Sequence, residues 1–186
     1  MHILNNFQSW KSSKNVSESS DQVYEYCCAM LYFDMPQMRD LHNQIDENDV
    51  YHQEGDRTFG LETEPHVTLL YGLHNDVDPD QVMSVCKNRQ YPSLTLKNAS
   101  CFDNPEYDVL KFDVDSQDLH DVNSELSKLP HTTSFPDYHP HSTVAYLKKG
   151  TGQKYMDLFK GNEYQVTPNK IVYSLASGDK LEHPLI

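Results

Sequence analysis

The segment Pro65-His66-Val67-Thr68-Leu69-Leu70-Tyr71 returns later in the chain as Pro140-His141-Ser142-Thr143-Val144-Ala145-Tyr146. Both copies read Pro-His-x-Thr-apolar-apolar-Tyr. Two copies are too few to stack as a solenoid, so the repeat implies two matching halves built around one site. β-branched and aromatic residues dominate each copy, and proline is tolerated where a strand begins, so both copies are read as strands. Alternate side chains of a strand share a face. His66 and Thr68 therefore point one way, as do His141 and Thr143, while Val67, Leu69, Ser142 and Val144 face the other way. Strict alternation also puts Tyr71 and Tyr146 on that opposite, core-packing face.

The rest of the chain is arranged around these strands. Residues 1–22 are polar and rich in serine and read as a flexible arm, on which Phe7 and Trp10 could dock against the body. Residues 23–186 read as one two-lobed domain. A first strand is expected over 24–33 and a helix over 37–48, with Met38, Leu41 and Ile45 on one face. The loop 49–63 leads into the first His strand and carries Arg57, a candidate phosphate contact whose plainer alternative is a solvated surface arginine. Asp78-Pro79 signals a helix running to Asn88. Strands follow at Leu94–Leu96 through Phe102 and at Tyr107–Val114, hairpin-linked. Ser116 is read as the N-cap of a helix with a buried stripe of Leu119, Val122, Leu126 and Leu129. A loop, 130–139, delivers the second His strand. A short helix near 153–160 and strands near 163–167, 170–176 and 180–185 complete an α+β fold of two antiparallel sheets related by an approximate twofold axis.

A net charge of −13, with three arginines (Arg39, Arg57 and Arg89), argues against a protein that grips long duplex nucleic acid through phosphate-neutralising cations. A nucleotide-like substrate is therefore expected to be small. Cys27, Cys28, Cys86 and Cys101 form no C-x-x-C pair and are read as reduced core or near-core residues. Neither a signal peptide nor an apolar span of membrane length is read, which leads to the expectation of a cytoplasmic protein, in the host cytoplasm if it is viral.

Two His-x-Thr strands, together with Phe135-Pro136-Asp137-Tyr138 just before the second, resemble the 2H phosphoesterase superfamily. That family includes RNA 2′,3′-cyclic phosphodiesterases (the so-called 2′-5′ RNA ligases), viral enzymes that degrade 2′-5′ oligoadenylate, and phage enzymes that destroy cyclic oligonucleotide signals. The resemblance covers residues 24–176. It implies a pseudo-symmetric bilobal fold and a metal-independent phosphodiesterase with no cofactor. It also implies His66 and His141 as the catalytic acid–base pair and Thr68 and Thr143 as donors to the phosphate oxygens.

Unperturbed imidazoles titrate near 6.5, so one ring can accept a proton while the other donates one. Which ring does which stays open in a near-symmetric pair. Lys148 or Lys149, just past the second motif, would offset charge building on phosphorus, and Tyr138 and Phe135 are candidates to stack on a base. The open substrates are a cyclic oligonucleotide, a 2′-5′ linkage and a 2′,3′-cyclic phosphate end. Phage counter-defence and housekeeping RNA-end processing are the competing roles, and a non-catalytic nucleotide-binding module is the alternative to an enzyme. A metal hydrolase built on His139-Pro140-His141 lacks an H-E-x-x-H partner motif. A serine hydrolase lacks G-x-S-x-G, with Ser142 on the wrong strand face.

Overall fold

In the computed structural model, which describes residues 24–56, 58–135 and 137–185, both repeat segments become edge strands of four-stranded antiparallel sheets. The first sheet holds β1 (Tyr26–Phe33), β2 (His66–His74), β7 (Pro168–Ser174) and β8 (Lys180–Pro184), in the order β2-β1-β7-β8. The second holds β3 (Leu94–Asp103), β4 (Tyr107–Val114), β5 (His141–Lys148) and β6 (Tyr164–Val166), in the order β5-β4-β3-β6. The expected pair of antiparallel sheets is present, with the two His strands in equivalent places. The proposed arm over 1–22 and Arg57 lie outside the described residues.

Among the described residues four helices cover the sheets: α1 (Met38–His42), α2 (Pro79–Lys87), α3 (Gln117–Leu126) and α4 (Gly152–Leu158). The helices that join the paired strands change sides. α1, between β1 and β2, packs on β5 of the other sheet, and α3, between β4 and β5, packs on β2. Each sheet buries one face against these helices, with Leu31, Val67, Leu73, Phe112, Leu119, Leu126, Phe159 and Tyr173 among the buried side chains. Cys27 belongs to this core, whereas Cys28, one residue on, faces the opposite side of β1 with Met30, Tyr32 and Val172. The helix expected over 37–48 ends at His42. The Asp46 side chain accepts from the Asn48 amide 2.9 Å away and starts a separate 3₁₀ turn, Glu47–Asp49, while Met38, Leu41 and Ile45 are still buried as the pattern required. The Asp78 carboxylate caps α2 as expected by accepting from the Asp80 amide, whereas Ser116 occupies the N-cap position of α3 without a side-chain bond. Leu94 to Asp103 form one continuous strand, bent at Asn98, whose φ is 55°.

The edge of each His strand is covered by the loop that leads to the other His strand. Loop 49–63 lies along β5: the Tyr51 and Glu62 amides donate to the Tyr146 and Val144 carbonyls, and the Tyr146 amide donates to the Gly60 carbonyl. Loop 130–139 lies along β2 in the same manner, with the Thr132 amide donating to the Gly72 carbonyl and the His74 amide to the Pro130 carbonyl. The bridges Val50–Leu147 and Leu61–Ala145 along β5 and Leu73–His131 along β2 are all antiparallel. Each loop therefore runs against the strand it covers and carries straight on into the other His strand. β2 and β5 consequently leave the centre in opposite directions.

Gly72 shows how tight this crossing is. It has φ +96°, and a β-carbon there would lie 2.0 Å from the Thr132 carbonyl oxygen. Substitution forces both left-handed strain and displacement of backbone, each worth about 1–3 kcal/mol. We expect Gly72→Ala to lower unfolding free energy by about 2–6 kcal/mol in urea titrations; a midpoint equal to wild type would mean that the loop is not anchored there.

Candidate active site

β1 reads both the first His strand and the origin of its face. Tyr32 pairs with His66, Met30 with Thr68 and Cys28 with Tyr71, with Leu69 left out of register. β4 does the same for the second strand: Asp113 pairs with His141, Lys111 with Thr143 and Val109 beyond it with Tyr146, with Val144 left out. A one-residue bulge thus falls three positions after each histidine. Because a bulge adds one residue to one strand, it reverses the alternation beyond it. Tyr71 and Tyr146 therefore lie on the same face as the histidines and threonines, not on the opposite face that strict alternation predicted. Tyr71 neighbours Tyr26, and Tyr146 neighbours Phe59 and Tyr107, so an aromatic group stands at either end of the cleft.

The bulges are held across the lobes. Asn123 on α3 donates its amide to the Leu69 carbonyl at 2.7 Å. His42 at the end of α1 donates Nε2–H to the Val144 carbonyl at 3.1 Å, and burial pushes its pKa down. Neither residue has a sequence signal, since each looks like an ordinary polar position on a helix. The Tyr138 hydroxyl donates to the Thr68 carbonyl at 2.8 Å, and its ring packs edge-on against His120. Tyr138 is thus a brace for the first motif rather than a platform for a base. Phe135 is exposed in the loop that crosses β2. Lys148 ends β5 in solvent, about 20 Å along the strand from His141 at ~3.3 Å per residue. Lys149 forms ion pairs with Asp103 and Asp108. The fold brings His66, Thr68, His141 and Thr143 to one cleft, and does not bring Lys148 or Lys149 to the histidines.

Each imidazole is oriented by the same bond. His66 Nδ1 donates to the Glu64 carbonyl and His141 Nδ1 to the His139 carbonyl, both at 2.7 Å. A carbonyl only accepts, so the proton of each neutral ring sits on Nδ1 and the Nε2 lone pair is left for the cleft. β2 and β5 lie against each other, and a charge on His66 disfavours one on His141.

The surroundings are not symmetric. The Tyr32 ring stacks on His66, with centroids 5.1 Å apart and an interplanar angle of 22°, and the Glu62 carboxylate lies 4.0 Å from His66 Nδ1. Phe102 on β3 meets His141 edge-on at 4.8 Å. Burial first, then Lys111 and His66, push the His141 pKa down to about 4. Lys111 is only 5% exposed, and its ammonium donates to Ser100 Oγ at 2.8 Å and Asp113 Oδ1 at 2.5 Å. Sequence reading missed Glu62, Phe102 and Lys111, because their nearness to the motif depends on strand pairing and on a loop crossing between lobes. Ser142 is fully buried on the far face, so it cannot act as a nucleophile in the cleft. Among the described residues no three His, Cys, Asp or Glu side chains converge as a metal site, and no helix is long and apolar enough to cross a membrane.

Two histidines on pseudo-equivalent edge strands, each followed by a threonine on the same face, define a two-histidine phosphoesterase. The family profile described as the 2′-5′ RNA ligase superfamily matches residues 35–167, and the chain belongs to that family of 2H phosphoesterases, which act on RNA ends or 2′-5′ linkages. It is an enzyme of the phosphodiesterase class. Among solved structures, Usb1 from Kluyveromyces marxianus with uridine monophosphate is similar at a TM-score of 0.51 and 8% identity, over 87% of this chain and 99% of that one. E. coli LigT is similar in its complex with 3′-AMP, at a TM-score of 0.48 and 14% identity over 88% of this chain and 97% of that one. In its NADP+ complex the values are 0.47 and 16%, over 88% and 96%. No curated protein sequence matches the chain.

Two outcomes follow from the geometry. If Tyr138 were a stacking platform, phenylalanine would serve as well. As a brace, Tyr138→Phe leaves the Thr68 carbonyl without this donor and should cost about 1 kcal/mol in chemical denaturation. The lowered pKa of His141 means that the unfolded chain binds more protons than the native one between about pH 4 and 6.5. Its contribution to stability is therefore complete above pH 6.5 and is lost as the pH falls toward 4. Wild type should lose more stability between pH 7 and pH 4.5 than His141→Asn does, as read from urea midpoints at the two pH values.

Proposed function

We propose that this enzyme cleaves the phosphodiester of a small nucleotide or short oligonucleotide by proton transfer between its two histidines and without a metal ion. The observation that carries the reading is the matched pair of Nδ1–carbonyl bonds, which leaves both Nε2 atoms to the cleft. His141, neutral at pH 7, takes the proton of the attacking water or of a neighbouring ribose hydroxyl. His66, with the Glu62 carboxylate beside it to offset an imidazolium charge, protonates the leaving oxygen. As the nucleophile's oxygen bonds to phosphorus, the bond to the leaving oxygen breaks. The Thr68 and Thr143 hydroxyls donate to the non-bridging oxygens, where negative charge builds. Each proton transfer contributes about 10²–10⁴-fold.

A small substrate is supported by the charge of −13 and by the nucleotide-sized ligand in the Usb1 structure. Within that class, a 2′,3′-cyclic phosphate, a 2′-5′ linkage and a cyclic oligonucleotide are the substrates to separate. Consumption of a cyclic dinucleotide would assign a counter-defence role in a host cytoplasm, and consumption of a 2′,3′-cyclic phosphate an RNA-processing one.

The test is turnover in excess EDTA of a 2′,3′-cyclic mononucleotide, a 2′-5′ dinucleotide and 3′-5′ cyclic dinucleotides. We expect one member to be consumed, and His66→Ala and His141→Ala each to lose about 10²–10⁴-fold. Loss of activity on chelation would overturn metal independence. The roles separate with a p-nitrophenyl nucleotide diester, whose leaving group needs no proton. It should restore His66→Ala toward wild type and leave His141→Ala impaired, and the reverse pattern would exchange the two assignments.

A further inference from the structure

The pseudo-twofold axis makes the two histidines equivalent in backbone, so something else must distinguish them. Matching positions of the two sheets show what differs. Opposite Thr68 the neighbouring strand carries Met30, and beyond it Val172; opposite Thr143 it carries Lys111, and beyond it Ser100. The first lobe is thus apolar beneath its motif, whereas the second places an ammonium there. Phe102, two residues past Ser100 on β3, spans this cation. The Lys111 Nζ lies 4.4 Å from the Phe102 ring centroid, and the same ring meets His141 edge-on at 88°. Phe102 is nevertheless 36% exposed, so it forms an outer cover over Lys111 and His141 rather than a piece of core.

We propose that Phe102 and Lys111 are positioning residues that select His141, and not His66, as the proton acceptor of the pair. The inference rests on the acid–base reading above and names what imposes it. The phenyl ring keeps water from one side of the His141 imidazole, which raises the cost of charging it. Lys111 adds a like charge held close by Ser100 and Asp113. The charged and titratable groups that face His141 are Lys111 and Asp113 from β4 and His66 from β2, with the His139 carbonyl at Nδ1. The His139 carbonyl and Asp113 favour the charged ring, and the Asp113 carboxylate is occupied by Lys111 and by the Ser100 hydroxyl. In the first lobe the arrangement is inverted. His66 has an aromatic face stacked on it and a carboxylate, Glu62, as its near charge.

The inference is testable without knowing the substrate. Histidine Cε1–Hε1 resonances of the full chain are followed from pH 3.5 to 8.5, with the His141 and His66 signals assigned by their absence in His141→Ala and His66→Ala. In wild type the His141 signal should titrate near 4. Phe102→Ala and Lys111→Met should each move that midpoint upward by about one unit or more, toward the ordinary value of about 6.5. Phe102→Leu, which keeps an apolar cover, should leave it close to wild type. Because Phe102 is an exposed residue, its truncation does not empty the core. Where the Lys111 variant is too unstable to titrate, the Phe102 pair decides alone. An unmoved His141 midpoint in Phe102→Ala would overturn the proposal, as would a shift of His66 as large as that of His141, which marks general loosening. Neither result touches the two-histidine reading, which stands or falls on the turnover of the histidine variants.

Discussion

The structure depends on how two sheet edges are closed. A His strand must lie at an edge if its neighbour across the cleft is to be the other His strand, yet an open edge leaves a row of unpaired amides and carbonyls. Here each edge is paired by a loop belonging to the opposite lobe, which then becomes that lobe's partner strand. The covering segment and the His strand are one piece of chain, so closing the edge also sets where the opposing histidine begins. Gly72 and the crossing it permits are therefore as much a part of the site as the imidazoles.

The same exchange governs finer placement. Asn123 and His42, from helices that packed on the opposite sheet, grip the carbonyls of Leu69 and Val144 at the two bulges. Those bulges turn Tyr71 and Tyr146 into the cleft. An approximate twofold axis thus delivers two matched sets of His, Thr and Tyr, running outward from a common centre. Chemistry between water and a leaving group is not symmetric, and the second lobe departs from the first where that matters, at Lys111, Ser100 and Phe102.

Much of this was legible in the chain alone. The repeated Pro-His-x-Thr-x-x-Tyr placed two strands, their shared histidine–threonine face and the pseudo-symmetry. Asp78-Pro79 marked the start of α2, and the leucine and valine spacing of α3 marked its buried stripe. The site expectations that differ from the structure do so where strand pairing and long-range contacts decide the outcome. Alternation by twos places Tyr71 and Tyr146 on the far face, and a bulge is a property of the pairing, not of one strand's composition. The chemistry of Tyr138 and its place before the motif suggest a stacking platform, whereas its hydroxyl is committed to a carbonyl 70 positions away in sequence. Lys148 and Lys149 were near the motif in number and far from it in space, because a strand carries its residues away at about 3.3 Å each.

The sequence by itself determined most of the elements, the doubling of the motif and the four side chains proposed to meet phosphate, because these follow from local patterns: alternation, turn chemistry and a repeat. Only the tertiary structure decided which residues surround them. Lys111, Phe102 and Glu62 are, in sequence, an unremarkable strand lysine, a strand phenylalanine and a loop glutamate. They reach the histidines through strand register and a loop crossing between lobes, and burial there holds the His141 pKa down. Two histidines in the same motif become unlike because proton affinity depends on the solvent and charge around the ring, and those come from parts of the chain that meet only when it folds.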